Sequence, residues 1–112
     1  SAMIEFSVVA GAVIAGGSAS EIDSFERYGR NIGLAFQIVD DVLNVTGGKD
    51  LGKARGTDAE RGKATYPAIV GVDESRRKAR ELCDDAARAM ETYGDKALPL
   101  LALAELIYKR SN

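Results

Sequence analysis

The chain has 112 residues, of which 46% are hydrophobic and 29% are charged, a balance typical of one globular domain rather than a disordered segment. Its formal net charge of −2 provides no global positive field, so the composition does not favour nucleic-acid binding. The absence of histidine and the presence of a single cysteine exclude His-dependent catalytic triads, zinc sites built from His and Cys, and an internal disulfide. Any metal must therefore be a hard cation bound by oxygen.

The first predicted element is a buried helix over residues 3 to 16. This segment is apolar almost all round and ends at the pair Gly16-Gly17. It is too short, and too rich in glycine and serine, to span a membrane. A basic segment does not precede it, so it does not resemble a signal peptide.

A long amphipathic helix is predicted over residues 21 to 46, with Ser20 as its cap and Asp23 in its first turn. Apolar or small residues recur there at alternating spacings of four and three, which places them on one helix face: Phe25, Gly29, Ile32, Phe36, Val39 and Leu43. Gly47 and Gly48 then end the helix. Residues 47 to 62 form an irregular segment rich in glycine, lysine and arginine, the kind of long loop that is often functional.

Three further helical segments are predicted after this loop. The capping-box pattern at residues 57 to 60 predicts that a helix restarts there, with Pro67 kinking it or ending its first part and Gly71 closing it. The next helix covers residues 74 to 93, capped by Asp73 and stopped by Gly94. The last covers residues 96 to 110, with Asp95 as its cap and Pro99 in its first turn. No sustained period-two alternation occurs, so the fold class is predicted to be all-α.

The predicted helix over residues 74 to 93 has an apolar face that includes Cys83. The members of this face are Ala79, Leu82, Cys83, Ala86, Met90 and Tyr93. We therefore interpret Cys83 as a buried structural thiol rather than a reactive one. An unpaired cysteine indicates a reducing compartment, and we expect a cytoplasmic protein.

A stripe of polar residues lies on the long helix, at positions i, i+3, i+4 and i+7: Gln37, Asp40, Asp41 and Asn44. Adjacent carboxylates among apolar neighbours repel each other and resist desolvation, so they need a compensating cation. Mg²⁺ suits them, because it is typically held by one or two carboxylates together with waters and phosphates. The alternative is that this stripe simply faces water.

The loop after the stripe supplies complementary positive charge from five residues: Lys49, Lys53, Arg55, Arg61 and Lys63. Lysine side chains bind phosphate as point charges, and glycines let backbone N–H groups approach it. A basic loop is more often ordinary surface when it stands alone. Beside an acidic stripe it suggests a clamp for a Mg²⁺-bound diphosphate.

These segments together resemble the C-terminal portion of the trans-polyprenyl diphosphate synthases. Residues 36 to 44 (FQIVDDVLN) are similar to the family's second aspartate-rich motif, F-Q-x-x-D-D-x-x-D. Residues 52 to 58 and 62 to 67 resemble its two-lysine region in the same order and spacing. Residues 1 to 4 resemble the segment after its Lys-Thr pair, and residues 107 to 110 resemble its short basic end.

The resemblance implies a role for each matching residue. Asp40, Asp41 and Asn44 would hold Mg²⁺, with Asn44 standing where the motif usually has a third aspartate. Asp40, Asp41 and Lys53 would be catalytic. Phe36, Gln37, Lys53 and Lys63 would bind substrate. The implied reaction joins isopentenyl diphosphate to an allylic diphosphate, with metal ions and lysines stabilising the departing diphosphate.

The resemblance also implies that residues 1 to 112 form the C-terminal part of an isoprenoid-synthase helical bundle. We expect the first half of that domain, with its first aspartate-rich motif and its basic isopentenyl diphosphate site, to be missing, so that the isolated chain is inactive. A homodimer is implied as well. Two rival hypotheses stay open: a non-catalytic, synthase-like subunit that pairs with a catalytic partner, and a generic helical interaction module.

Overall fold

The computed structural model describes residue 11 and residues 16–46 and 65–111. These residues form helix α1 (Ala19–Thr46), helix α2 (Tyr66–Val70), helix α3 (Val72–Met90), a 3₁₀ segment (Glu91–Ala97) and helix α4 (Leu98–Lys109). The described ranges contain no strand, which confirms the all-α fold class. The predicted helix over residues 3 to 16 and the predicted loop over residues 47 to 62 lie almost wholly outside these ranges, as does the predicted helix start at residues 57 to 60.

Helix α1 confirms the predicted long helix but begins earlier than the sequence pattern suggested. The backbone N–H of Ser18 donates to Oε1 of Glu21 at 2.8 Å, and the N–H of Glu21 donates to Oγ of Ser18 at 3.2 Å. This reciprocal capping box satisfies two N–H donors that a helix start leaves unpaired. The assignments of Ser20 as the cap and of Asp23 to the first turn were therefore wrong, because both residues lie inside the helix.

The role predicted for Pro67 was also wrong. Thr65 has extended backbone angles (φ −97°, ψ 158°) and its Oγ1 accepts a hydrogen bond from the N–H of Ala68, so a new helix begins directly after it. Pro67 lies in the first turn, where its missing N–H costs nothing. The predicted stop at Gly71 is confirmed: this residue has φ of 92°, and its N–H donates to the carbonyl of Pro67 at 2.8 Å.

Helix α3 follows Gly71 directly, so Asp73 lies in its first turn and is not its cap. At its far end the α-helix stops at Met90, and Gly94 (φ 62°, ψ −140°) breaks the helical path within the 3₁₀ segment, as predicted for a glycine stop. Asp95 is not the cap of α4. That position belongs to Ala97, and Pro99 lies in the first turn as expected.

The core lies between α1 and α3 and is closed by α4. The faces predicted from periodicity are confirmed: Ile32 and Val39 of α1 are fully buried against Ala79 and Ala86 of α3. Phe25, Phe36 and Leu43 are only partly buried. Cys83 is 2% exposed, and burial raises the pKa of its thiol to about 11, which supports the structural interpretation.

Polar contacts fix α1 against its neighbours. Arg27 and Asn31 of α1 both donate to the carboxylate of Asp85 on α3, and the hydroxyl of Tyr28 donates to the carbonyl of Leu100 at 2.8 Å. None of the helices that the structure describes combines the length and the apolar character needed to cross a membrane.

Candidate functional site

The predicted polar stripe lies on the second half of α1. Nε2 of Gln37 donates a hydrogen bond to Oδ1 of Asp41 at 3.2 Å, so these two side chains share one face of the helix, as the i, i+4 spacing requires. Gln37 is exposed, whereas Asp40, Asp41 and Asn44 are half-buried. Their position one turn apart brings amide and carboxylate oxygens together along about two turns of helix.

The opposite side of the same helix segment anchors it in the core. Ile38, Val39 and Val42 are buried there, which fixes the rotation of the helix and directs the stripe away from the core. Leu34 and Val45 lie near the two ends of the stripe and are 50% and 56% exposed. The stripe therefore lies on a helix face bordered by open apolar side chains rather than on a uniformly charged surface.

The donor set of the stripe fits Mg²⁺. Carboxylate and amide oxygens are the hard ligands that this ion prefers, and one or two carboxylates are a usual protein contribution because waters and phosphates complete the coordination. Asp40 and Asp41 provide two carboxylates, with Asn44 one turn beyond Asp40. Within the described ranges no group of three His, Cys, Asp or Glu side chains could hold a metal. Because two carboxylates leave coordination positions for waters and phosphates, the stripe is suited to an ion shared with a phosphorylated ligand.

The other half of the predicted clamp lies outside the described residues. Lys53 and Lys63, to which we assigned contacts with the substrate phosphates, belong to residues 47–64, together with the remaining cationic residues of the loop. Their roles stay predictions from the sequence.

The sequence reasoning did not assign a role to Arg110, which contacts Phe36 beside the stripe. The guanidinium carbon of Arg110 lies 5.1 Å from the centre of the Phe36 ring, within the range of a cation–π contact. Arg110 belongs to the short basic segment at residues 107 to 110, but the sequence contains no signal that it contacts Phe36.

An open groove of about 180 Å³ lies between α3 and α4 and includes Cys83 in its wall. The positive charge of Arg80, which lines the groove, is already neutralised by ion pairs with Asp84 at 2.8 Å and with Glu105 at 2.7 Å. The two carboxylates raise the pKa of the Arg80 guanidinium, mainly because they accept hydrogen bonds that Arg80 donates to Asp84 and then to Glu105. This groove has the features of an interhelical contact rather than of a site.

Comparison with known proteins places this arrangement in context. A family model described as polyprenyl synthetase matches residues 1–100. A dimethylallyltranstransferase of Fischerella ambigua is 43% identical over 112 residues, which cover 99% of this chain and 32% of that protein. A geranylgeranyl diphosphate synthase of Cyanophora paradoxa is also 43% identical, with 99% and 37% covered. The chloroplastic geranylgeranyl pyrophosphate synthase 11 of Arabidopsis thaliana is 45% identical over 113 residues, with 99% and 32% covered.

The chain thus spans about a third of the length of these relatives. Some of the similar proteins are named as chloroplastic and others as mitochondrial. The family match includes the whole polar stripe and the basic loop after it. An all-α chain that carries this stripe in the matched region, and that is 43 to 45% identical to these relatives along nearly all of its length, belongs to the polyprenyl synthetase family.

Proposed function

We propose that this chain is part of a polyprenyl diphosphate synthase of the farnesyl or geranylgeranyl type. The complete enzyme condenses isopentenyl diphosphate head to tail with an allylic diphosphate. The observation that carries the proposal is the stripe on α1, in which two half-buried aspartates are combined with a hydrogen-bonding glutamine on one helix face. The names of the similar proteins, geranylgeranyl diphosphate synthase and dimethylallyltranstransferase, support the same reaction class.

In this proposal the stripe holds the ion and the loop holds the phosphates. Asp40, Asp41 and Asn44 bind Mg²⁺, and Lys53 and Lys63 contact the diphosphate of the allylic substrate. Mg²⁺, when bound, supplies positive charge that stabilises a departing diphosphate.

The neighbouring residues of the motif complete the substrate site. Gln37 hydrogen-bonds near the diphosphate, and Phe36 contributes an apolar wall. The bond to the diphosphate breaks to leave an allylic carbocation, the double bond of isopentenyl diphosphate attacks it, and a proton is then lost. This chemistry requires electrostatic stabilisation of the departing diphosphate and no protein nucleophile.

We propose that residues 1–112 are one part of a longer protein. The chain covers about a third of the length of its relatives. Because residues 36 to 44 resemble the family's second aspartate-rich motif, we assign residues 1–112 to the C-terminal part of a synthase domain whose remaining helices complete the bundle. We further propose a cytoplasmic homodimer, and we expect the isolated 112-residue chain to be inactive. Intact mass under denaturing conditions and the native mass in solution check the length and the dimer. Turnover by the purified 112-residue chain alone would contradict the proposed division of the site.

The direct test compares two aspartates on the same helix. In the full-length protein, Asp40→Asn should lower the rate of isopentenyl diphosphate incorporation by roughly 100-fold or more, because the ion that stabilises the departing charge is lost. Asp23→Asn is the matched control, since Asp23 is an exposed aspartate of α1 four turns away from the stripe. Equal activity of both variants and of the wild-type protein would refute the catalytic role of the stripe.

Asn44 favours a second candidate, a non-catalytic subunit that pairs with a catalytic partner. An amide at this position brings no charge, which weakens the attraction for Mg²⁺ relative to a third aspartate. In that case Asp40→Asn would leave the activity of the assembled pair unchanged, whereas in the synthase it removes activity. A helical interaction module, the third possibility, would show no Mg²⁺-dependent binding of diphosphate at all.

A further inference from the structure

The C-terminal end of α4 lies against α1 at the turn where the polar stripe begins. The guanidinium of Arg110 stacks on the ring of Phe36, with 5.1 Å between the guanidinium carbon and the ring centre. Phe36 directly precedes Gln37 and lies one turn before Asp40 on the same side of the helix. The contact therefore joins the end of the last helix to the residues proposed to hold the ion.

Helix α3 fixes the position of this end independently of Phe36. Nε of Arg76 donates to the backbone carbonyl of Ser111 at 2.8 Å, and Ser111 is only 1% exposed. The guanidinium of Arg80 lies over the ring of Tyr108, 4.6 Å from its centre. We call Tyr108, Arg110 and Ser111 the C-terminal latch. Because contacts with α3 hold Tyr108 and Ser111, Arg110, which lies between them in the chain, is held beside α1.

The chemistry of the contact favours a positioning role. Phe36 is partly buried against the core, so its ring can hold only a few orientations. The guanidinium of Arg110 over one face of that ring restricts the ring further. Within the described ranges Arg110 forms no ion pair with an acidic side chain. Its positive charge is therefore attracted by the face of the Phe36 ring rather than by a described carboxylate. A fixed ring keeps the following turn, with Gln37 and Asp41, in a single arrangement.

We propose that Arg110 is a positioning residue for the polar stripe and that it acts through Phe36. By holding the Phe36 ring, the latch preorganises the turn that carries Gln37, Asp40 and Asp41 for binding Mg²⁺ and diphosphate. This role rests on the proposed function, because it assigns the stripe to that ligand. A single cation–π contact of this kind corresponds to an effect of about two- to fivefold on binding.

A double-mutant cycle in the full-length protein tests the proposal. The probe is inorganic diphosphate with Mg²⁺, titrated calorimetrically. Arg110→Ala should weaken binding about threefold, and Arg110→Lys should restore part of the loss because a cation returns to the ring. Lys109→Ala is the matched control: it removes the same charge from the adjacent exposed position and should leave binding unchanged. In a Phe36→Leu background, Arg110→Ala should have no further effect.

Two results of the cycle would overturn the proposal. If Arg110→Ala weakens binding equally in the Phe36→Leu background, the guanidinium contacts the diphosphate directly and does not act through the ring. If Arg110→Ala and Lys109→Ala weaken binding by the same factor, the effect is one of general charge.

Amide hydrogen exchange provides a readout that does not depend on the ligand. Arg110→Ala should speed exchange across residues 34–44, whereas Lys109→Ala should not. If the wild-type protein fails to bind Mg²⁺ and diphosphate, the proposed function is wrong, and faster exchange in Arg110→Ala still supports the latch. Unchanged exchange across residues 34–44 in Arg110→Ala would overturn the latch even in a protein that binds the probe.

Discussion

The two halves of α1 have the same apolar side and very different polar sides. Tyr28 and Ile32 in the first half, and Val39 and Val42 in the second, are all fully buried. In the first half, polar groups reach across to other helices, as in the contacts of Arg27 and Asn31 with Asp85. In the second half, Gln37 pairs along the helix with Asp41. The buried apolar face thus holds α1 along its whole length, and in the first half polar side chains add contacts with α3.

If the stripe binds Mg²⁺ and diphosphate as proposed, the two halves of α1 separate stability from ligand binding within a single helix. A polar group paired with a neighbouring helix adds to the free energy of unfolding only while that partner is present. An exposed polar side chain such as that of Gln37 adds little to stability, so its residue type can follow the demands of a ligand. We therefore expect substitutions in the first half to change stability and those on the stripe to change binding.

The largest expected effect concerns the buried apolar face that both halves of α1 have in common. Ile32→Ala should lower the free energy of unfolding by about 3 kcal/mol, because Ile32 is fully buried and its removal leaves a cavity. Leu34→Ala is the control two residues further on, and it should cost less than about 1 kcal/mol, since Leu34 is 50% exposed. Denaturant unfolding of the full-length protein measures both. Equal losses of stability in the two variants would mean that Leu34 is as buried as Ile32 in the complete protein.

The next effect concerns the polar contacts of the first half. Asp85→Asn should cost roughly 1 kcal/mol, because Asp85 accepts hydrogen bonds from Arg27, Asn31 and Arg88. Asp95→Asn, at an exposed position of the 3₁₀ segment, should change stability by only a few tenths of that amount. Denaturant unfolding at neutral pH provides the comparison.

The cost of Asp85→Asn should also depend on pH. The hydrogen bond from Arg27, followed by those from Asn31 and Arg88, lowers the pKa of Asp85 below its ordinary value of 3.8. The stabilisation is therefore present above pH 3.8 and is lost as the pH falls through the lower folded-state pKa. The difference between the wild-type protein and Asp85→Asn should shrink over that acid range. A difference independent of pH would show that the charge of Asp85 does not matter.

A smaller effect is expected at Tyr28, whose hydroxyl joins α1 to α4. Tyr28→Phe should cost about 1 kcal/mol or less, through loss of the 2.8 Å hydrogen bond to the carbonyl of Leu100. Tyr93→Phe is the control, because Tyr93 is held through its ring, stacked on Phe25 at 5.5 Å. Burial raises the pKa of Tyr28 to about 12, so stability should fall as the pH rises from 10 through 12. Absorbance titration of the wild-type protein should show one tyrosine that ionises near pH 12, and this late step should be missing in Tyr28→Phe. If Tyr28 ionised near pH 10 in the wild-type protein, this account would be contradicted.

Periodicity and glycine positions were sufficient to predict the long helices α1, α3 and α4, apart from their exact ends. The face containing Ile32 and Val39 was predictable because burial repeats with the helix period. The breaks at Gly71 and Gly94 were predictable because glycine readily adopts positive φ, the conformation that both residues have in the structure. Gln37 and Asp41 were predictable as neighbours on one face because their spacing alone decides it.

Helix starts and contacts between distant residues were not predictable in the same way. Ser18 rather than Ser20 begins α1, because the choice depends on which side chain can exchange hydrogen bonds with Glu21. The joining of Asp85 to Arg27, and of Arg110 to Phe36, depends on how helices far apart in the chain are packed. The ligand roles of Asp40, Asp41 and Asn44 stay predictions, as do those of Lys53 and Lys63, because they concern groups outside the chain.

The smallest expected effect on stability sharpens the comparison most, because it uses two similar pairs on one helix. Arg30 donates to Glu26 at 2.7 Å in the first half, and Gln37 donates to Asp41 at 3.2 Å in the second. Both pairs are spaced i, i+4 and have an exposed donor, so Arg30→Ala and Gln37→Ala should each change the free energy of unfolding by less than about 0.5 kcal/mol. Only Gln37→Ala should weaken the binding of Mg²⁺ with inorganic diphosphate, by about fivefold, because it removes a hydrogen bond to the carboxylate of Asp41. Calorimetric titration and denaturant unfolding of both variants provide the two readouts. Equal weakening by Arg30→Ala would mean that binding senses the whole helix rather than its stripe, and the division between the two halves of α1 would not hold.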